Sequence, residues 1–208
     1  MSKKWIVFDA MGVIYEVADD VKDLLVPFLR SKNNTAPFTK IQEIYIKASL
    51  GKISSFDFWK ALGYEDEYPD IEKEYLDKNL TIDPEFREVV KTLKKDYNLG
   101  MLTNDLKEWS SFLRSKFKLD QFFNMVIISG DVGYRKPDKG IYKILLEKTN
   151  AQPKDIVFID DLLKNLLSAS EIGINTIRFV RKESKIPFCS EFEISSFKEL
   201  VQILENFY

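Results

Sequence analysis

The chain has 208 residues, with 31 Lys+Arg against 33 Asp+Glu, a formal charge of −2, 45% hydrophobic residues and 31% charged. This is the make-up of a globular protein with apolar mass for one large domain or a domain and a smaller companion, and the balanced charge argues against a nucleic-acid partner. The complete lack of histidine excludes Ser-His-Asp and Cys-His nucleophile systems, His-ligated zinc and phosphohistidine chemistry. Cys189 stands alone and reads as a buried apolar residue, so neither an internal disulfide nor a multi-cysteine metal site is expected. Catalysis in such a chain must run on carboxylates, amines, hydroxyls or a metal held by oxygen.

The apolar run Trp5–Phe8 reads as a buried strand emptying into the loop Asp9-Ala10-Met11-Gly12. It is too short for the core of a signal peptide, and no later stretch approaches the roughly 20 apolar residues of a spanning helix. No membrane partner and a cytoplasmic location are therefore expected. From Val21 to about Leu80 the pattern is helical. Leu24, Leu25, Phe28 and Leu29 form one apolar stripe, and Ile41, Ile44, Tyr45 and Ala48 form another, stopped by Gly51. Ser55 precedes Phe56, Phe58, Trp59 and Leu62, with Gly63 as a stop, and Glu72–Asn79 makes a further helix. Residues 16–80 are thus expected to be an all-helical cap domain inserted into a core of residues 1–15 and 81–208.

Asp83-Pro84-Glu85 predicts a helix start, with Asp83 as the cap and Pro84 at the first helical position, running to about Tyr97. Strands at Leu99–Leu102, Met125–Ile128, Ile156–Ile159 and Asn175–Phe179 then alternate with helices at about 106–117, 139–149 and 162–172, and Phe197–Phe207 closes the chain. Such alternation predicts an α/β fold, a Rossmann-like, doubly wound parallel sheet covered on both faces. The pairs Lys94-Lys95 and Arg181-Lys182 read as solvated charges, and Phe56, Phe58 and Trp59 as packing within the helical segment.

In open parallel sheets ligands bind beyond the carboxyl ends of the strands. The residues that follow the predicted strands are Asp9, then Thr103-Asn104, then a loop carrying Arg135-Lys136-Pro137, then Asp160-Asp161. Carboxylates, a hydroxyl and a lysine on one rim suit an oxygen-ligated Mg²⁺ that holds a phosphoryl group against a carboxylate nucleophile. Lys136 would neutralise charge there and Thr103 would donate a hydrogen bond to a non-bridging oxygen. Taken singly, each of these residues has an ordinary alternative: Asp160-Asp161 and Thr103-Asn104 as helix caps, Asp9 and Lys136 as loop charges.

The segments Phe8-Asp9-Ala10-Met11-Gly12-Val13-Ile14-Tyr15, Leu99-Gly100-Met101-Leu102-Thr103-Asn104, Gly133-Tyr134-Arg135-Lys136-Pro137-Asp138 and Phe158-Ile159-Asp160-Asp161-Leu162-Leu163-Lys164-Asn165 resemble, in order, the four motifs of the haloacid dehalogenase-like (HAD) hydrolase superfamily. The helical stretch after the first motif resembles that superfamily's helical, C1-type cap. The resemblance implies a Mg²⁺-dependent hydrolase of a small phosphorylated metabolite. Asp9 would be nucleophile and metal ligand, and Met11 would offer its backbone carbonyl to the cation. Thr103, Asn104 and Lys136 would bind the transferred group, Asp160 and Asp161 the metal, and Asn165 would support them.

One position departs from the pattern. Phosphatases of the superfamily usually carry a second aspartate two residues after the nucleophile, which protonates the leaving oxygen; here that residue is Met11, with no transferable proton. Losing a positioned acid–base costs about 10²–10⁴ in rate. Two alternatives follow from this: a metal-free 2-haloacid dehalogenase, whose halide leaves unprotonated, or a low-activity regulatory protein that binds phosphate and Mg²⁺. The dehalogenase reading would leave Asp160-Asp161 as uncompensated charges beside Asp9. Glu16, Asp19 and Asp20, just past the first motif, are the candidates to supply the missing proton.

Overall fold

Short apolar runs become the strands of a single sheet in the computed structural model of the chain, which describes residues 3–78, 80–181 and 192–204. They are β1 (Trp5–Phe8), β2 (Asn98–Thr103), β3 (Met125–Ile128), β4 (Ile156–Asp160), β5 (Asn175–Phe179) and the short edge strand β6 (Glu193–Ile194). The order across the sheet is β3-β2-β1-β4-β5-β6, and every pairing is parallel. A sheet wound this way reverses its direction of growth between β1 and β4, which opens a crevice beyond their carboxyl ends.

Alternation along β1 shows why both faces are covered. Ile6 and Phe8 belong to one apolar cluster, with Phe86, Val89, Val90 and Leu93 of α5 (Phe86–Leu93) and Phe197, Leu200 and Leu204 of α10 (Phe197–Leu204). Val7 points the other way. It packs in a second cluster with Ile141, Tyr142 and Leu145 of α8 (Lys139–Thr149) and Leu166 and Ala169 of α9 (Leu163–Ser170). Successive side chains leave a strand on opposite faces, so a strand buried on both sides must be apolar throughout.

Between β1 and β2 the described residues hold helices, turns and the isolated bridges of Tyr15 with Met11 and with Ile82: a π-helical turn at Val21–Leu25 leading into α1 (Val26–Ser31), then α2 (Phe38–Ser49), α3 (Ser55–Ala61) and α4 (Asp70–Lys78), with α5 after them. Two further helices, α6 (Lys107–Lys116) and α7 (Ser129–Val132), follow β2 and β3. Trp109 of α6 packs against this helical segment, with its ring 5.1 Å from Phe58, 6.0 Å from Tyr45 and 5.0 Å from Tyr75. Glu72 of α4 binds both tryptophans of the contact, accepting from Trp59 Nε1 at 3.0 Å and from Trp109 Nε1 at 2.8 Å. Phe58 and Trp59 are fully buried here, in accordance with their expected packing role, while Phe56 is exposed.

Several local expectations need correction. Asp83 does not cap α5, which begins at Phe86; its carboxylate accepts from Glu85 N and pairs with Arg181 Nη1 at 2.8 Å. Arg181 is accordingly no solvated charge, for it also donates to the carbonyls of Gly12 and Val13 and so clamps the loop after β1. The cap of α3 is Ser54, in a reciprocal pairing with Asp57. The loop expected to carry Arg135-Lys136-Pro137 is preceded by the single turn α7, and β6 was not legible as a strand. Lys182, Cys189 and the residues after Leu204 lie outside the described residues, as does Asn79.

Glu72→Ala should destabilise the chain by about 2 kcal/mol, because two indole N–H groups lose their acceptor on burial. Urea unfolding of the variant against wild type measures this.

Candidate active site

Parallel register sets the first contact. Phe8 pairs with Ile159, and Asp9 N donates to Ile159 O at 2.8 Å, so the residues that leave the ends of β1 and β4 are Asp9 and Asp160, side by side at the switch point. Lys136, from the loop before α8, reaches between them. Its Nζ lies 2.7 Å from Asp9 Oδ1 and 2.7 Å from Asp160 Oδ2, and the ammonium is almost wholly buried. Asn104, just past β2, holds the lysine's backbone from both sides, its Oδ1 accepting from Lys136 N at 2.8 Å and its Nδ2 donating to Lys136 O at 2.9 Å. Asn104 therefore positions Lys136. Asp160 is held in turn by Asn165 Nδ2, at 3.0 Å from each carboxylate oxygen, and Tyr142 Oη donates to Asn165 O at 2.7 Å.

Asp161 completes the group: one carboxylate oxygen from each of Asp9, Asp160 and Asp161 lies within 4.8 Å of the others. The loop after β1 can come this close because residue 12 is glycine. Its φ is +74°, and a Cβ there would sit 2.5 Å from the Asp161 carboxyl carbon. Asp161 does not cap α9, whose capping residue is Leu162, nor do Thr103 and Asn104 cap α6, where Leu106 takes that place.

The electrostatics follow from burial and from like charge. Burial, with Asp160 and Asp161 nearby, pushes the Asp9 carboxyl well above the usual carboxylate range even though Lys136 opposes it. Burial and Asp160 push Asp161 up to about 7. Burial alone would lower the Lys136 ammonium, but the carboxylates of Asp160 and Asp9 more than offset it and hold its pKa above the ordinary value. Three carboxylates facing one ammonium leave negative charge in excess, and an all-oxygen donor set of this kind fits a hard divalent cation.

A cavity of about 350 Å³ opens above this cluster, lined by Asp9, Met11, Thr103, Asn104, Lys136, Asp161 and Asn165 among others. The sequence-predicted residues thus meet at one place, with Asp160 buried beneath. Met11 is half-buried against the core and brings no acid to its wall. The three proton candidates separate. Glu16 is exposed, accepts from the Thr81 hydroxyl and lines a different cavity, whereas Asp19 and Asp20 line this one.

The helical segment also lines the cavity, through Gln42, Tyr45 and Ile46 of α2, and so does Arg135, next to Lys136 in the chain. Tyr45 is missed by pattern reading because a tyrosine at helical spacing counts as stripe; only its hydroxyl, 2.9 Å from Asp20 Oδ2, betrays another use. The Arg135 guanidinium lies 5.4 Å from the Tyr45 ring centroid and bonds Ser49 Oγ at the end of α2. Ser129 Oγ donates to Ser49 O at 2.5 Å, so three residues fasten α2 to the sheet side of the cavity.

Lys136→Met should cost about 3–5 kcal/mol at neutral pH, since it strands buried carboxylates without their cation. The loss should shrink as pH falls and protons neutralise those carboxylates; urea unfolding at several pH values checks both statements.

The family model of haloacid dehalogenase-like hydrolases matches residues 3–173. The chain is 28% identical over 132 residues to a glyceraldehyde 3-phosphate phosphatase of Pyrococcus furiosus, a match covering 59% of this chain and 54% of that protein. Its matches span from about a quarter to just over a half of the length of the curated relatives. Among solved structures, a HAD family enzyme of Bacteroides thetaiotaomicron in its magnesium complex is similar in fold, with TM-score 0.76 and 19% identity, covering 89% of this chain and 97% of that one. An L-2-haloacid dehalogenase of Xanthobacter autotrophicus has TM-score 0.72 at 17% identity, covering 98% and 99%. The chain belongs to the haloacid dehalogenase-like hydrolases.

Proposed function

We propose that this hydrolase is a phosphatase of a small phosphorylated metabolite, working through an aspartyl-phosphate on Asp9 with Mg²⁺ held by Asp9, Asp160, Asp161 and the Met11 carbonyl. In this reading residues 16–80 form a helical cap over a core of residues 1–15 and 81–208. The observation that carries it is the clustering of three carboxylates, two of which are paired with the buried Lys136 ammonium. Such a site is overcharged for a metal-free dehalogenase and suited to an anionic substrate only when a cation is present. Relatives named as glyceraldehyde 3-phosphate phosphatases support a small phosphate ester as the substrate class.

Mg²⁺ bound there would offset the repulsion between the Asp9 carboxylate and an anionic phosphate and orient the two for attack. Lys136 holds Asp9 in place through Oδ1 and adds positive charge on the side of the phosphoryl oxygens. Ala10 N also donates to Asp9 Oδ1, at 2.7 Å, so the carboxylate is fixed in rotation before substrate arrives. Thr103, buried at the end of β2 and lining the cavity, would donate its hydroxyl to a non-bridging oxygen. Asn104 keeps Lys136 in register, and Asn165 does the same for Asp160. The wall from α2 covers the site, which excludes water from the reacting phosphorus and gives the leaving group its selective surroundings.

A panel of phosphorylated metabolites with Mg²⁺ tests the reading. Phosphate release should stop with EDTA, return with added Mg²⁺, and fall by roughly 10⁴-fold or more in Asp9→Asn, which removes the nucleophile. Halide release insensitive to EDTA would instead establish the dehalogenase alternative. Mg²⁺ at about 100 times its dissociation constant should stabilise the wild type by about 2.7 kcal/mol in thermal unfolding and leave Asp161→Asn nearly unmoved.

A further inference from the structure

The proposed phosphatase lacks an acid at Met11, and the cavity itself contains a substitute. Its acids are Asp9, Asp19, Asp20 and Asp161. Asp9 and Asp161 belong to the carboxylate cluster. Asp19 is exposed and its Oδ1 accepts from Lys22 N at 2.9 Å, fixing the turn that starts the helical segment. Asp20 is different, for it is buried and accepts from Tyr45 Oη at 2.9 Å. The same hydroxyl oxygen lies 3.3 Å from Asn104 O, so Tyr45 sits between Asp20 and the residue that positions Lys136. We infer that Asp20, oriented by Tyr45 in the cavity that Asp9 also lines, protonates the leaving oxygen and then activates the hydrolytic water.

This assignment rests on the Asp9 phosphatase reading and adds the proton to it. In the first step an Asp9 oxygen bonds to phosphorus, the ester P–O bond breaks, and the departing oxygen takes the Asp20 proton to leave as an alcohol. In the second step the Asp20 carboxylate takes a proton from water, whose oxygen bonds to phosphorus as the P–O bond to Asp9 breaks. Inorganic phosphate, the free Asp9 carboxylate and protonated Asp20 result, so the cycle closes.

The surroundings suit a group that must hold and release a proton near neutrality. Burial pushes the Asp20 carboxyl up to about 6; the Tyr45 hydrogen bond and Arg135 pull it down, and Asp19 adds to the rise. The other facing groups are Tyr75 of α4 and Asp105 after β2, both of which interact with its charge. Burial, then Asp20, keeps the Tyr45 hydroxyl protonated well beyond its usual range, so it remains a donor. Tyr45 is thus a positioning residue and Asp20 the catalytic one.

The test compares wild type, Asp20→Asn and Tyr45→Phe, each with Mg²⁺, on the alkyl phosphate the wild type cleaves fastest and on p-nitrophenyl phosphate. Asp20→Asn should lower kcat/KM for the alkyl ester by about 10²–10⁴. It should keep the pre-steady-state burst of p-nitrophenol within about tenfold, because that group departs as an anion. Tyr45→Phe removes a donor to the carboxylate, which raises its pKa; the alkaline limb of the alkyl-ester kcat/KM profile should move up by half a pH unit or more. An NMR titration of the Asp20 carboxyl in metal-free protein should show the same displacement. Equal losses of the alkyl reaction and the burst in Asp20→Asn, or no loss in either, overturn the assignment while leaving the phosphatase reading intact. So does an unmoved limb in Tyr45→Phe, which decides the matter should Asp20→Asn not fold. A wild type that cleaves neither ester overturns both.

Discussion

A single ammonium between carboxylates of neighbouring strands organises the carboxyl edge of the sheet. Lys136 Nζ is 2.7 Å from both Asp9 and Asp160, with almost no access to solvent. Charges so placed are costly unless paired and hydrogen-bonded, and each partner here is held by a second group: Asn104 on the lysine's backbone, Asn165 on Asp160, Ala10 N on Asp9. The pair exists because β1 and β4 run parallel and in register, so their ends arrive together. Asp161 then tips the balance toward negative charge. A donor set with that surplus of negative charge is of the kind that suits a hard divalent cation.

The helical segment contributes in a different way. It meets the sheet side through the Trp109 cluster with Glu72 between two indoles, and through Ser49, which is bonded by Ser129 and Arg135. Gly51, with φ +68°, ends this helix where any Cβ would strike Gly130 O, so α2 and α7 approach backbone to backbone. These contacts hold α2 beside the carboxylates, and Tyr45 and Asp20 line the same cavity as Asp9. The carboxylates at the strand ends thus share a cavity with residues of α2, and the two sides are tied together through Asn104, Arg135 and Ser129.

Much of this was legible in the chain itself, for physical reasons. Strand ends announce themselves as apolar runs that stop at a polar residue, and in a parallel sheet those stops must share one edge. Asp9, Thr103, Lys136 and Asp161 accordingly surround one cavity with Asp160 beneath it. What pattern reading missed depends on partners far away in sequence. Asp83 looked like a helix cap because its local neighbours fit one, but its charge serves Arg181. Arg181 looked solvated because nothing local binds it, though it clamps Gly12 and Val13. Tyr45 occupies an apolar position of α2 and declares its polar role only through Asp20, 25 positions earlier in the chain. The short pairing of β6 with β5 carries too few residues to show any alternation.

The most direct measurement is a crystal structure grown with Mg²⁺ and a phosphoryl mimic. An ion should appear about 2.0–2.1 Å from oxygens of Asp9 and Asp161, with the mimic seated on Asp9 and within hydrogen-bond reach of Thr103 and Lys136. An ion bound elsewhere, or a mimic that settles away from Asp9, would contradict the assignment of this carboxylate cluster as the reaction centre.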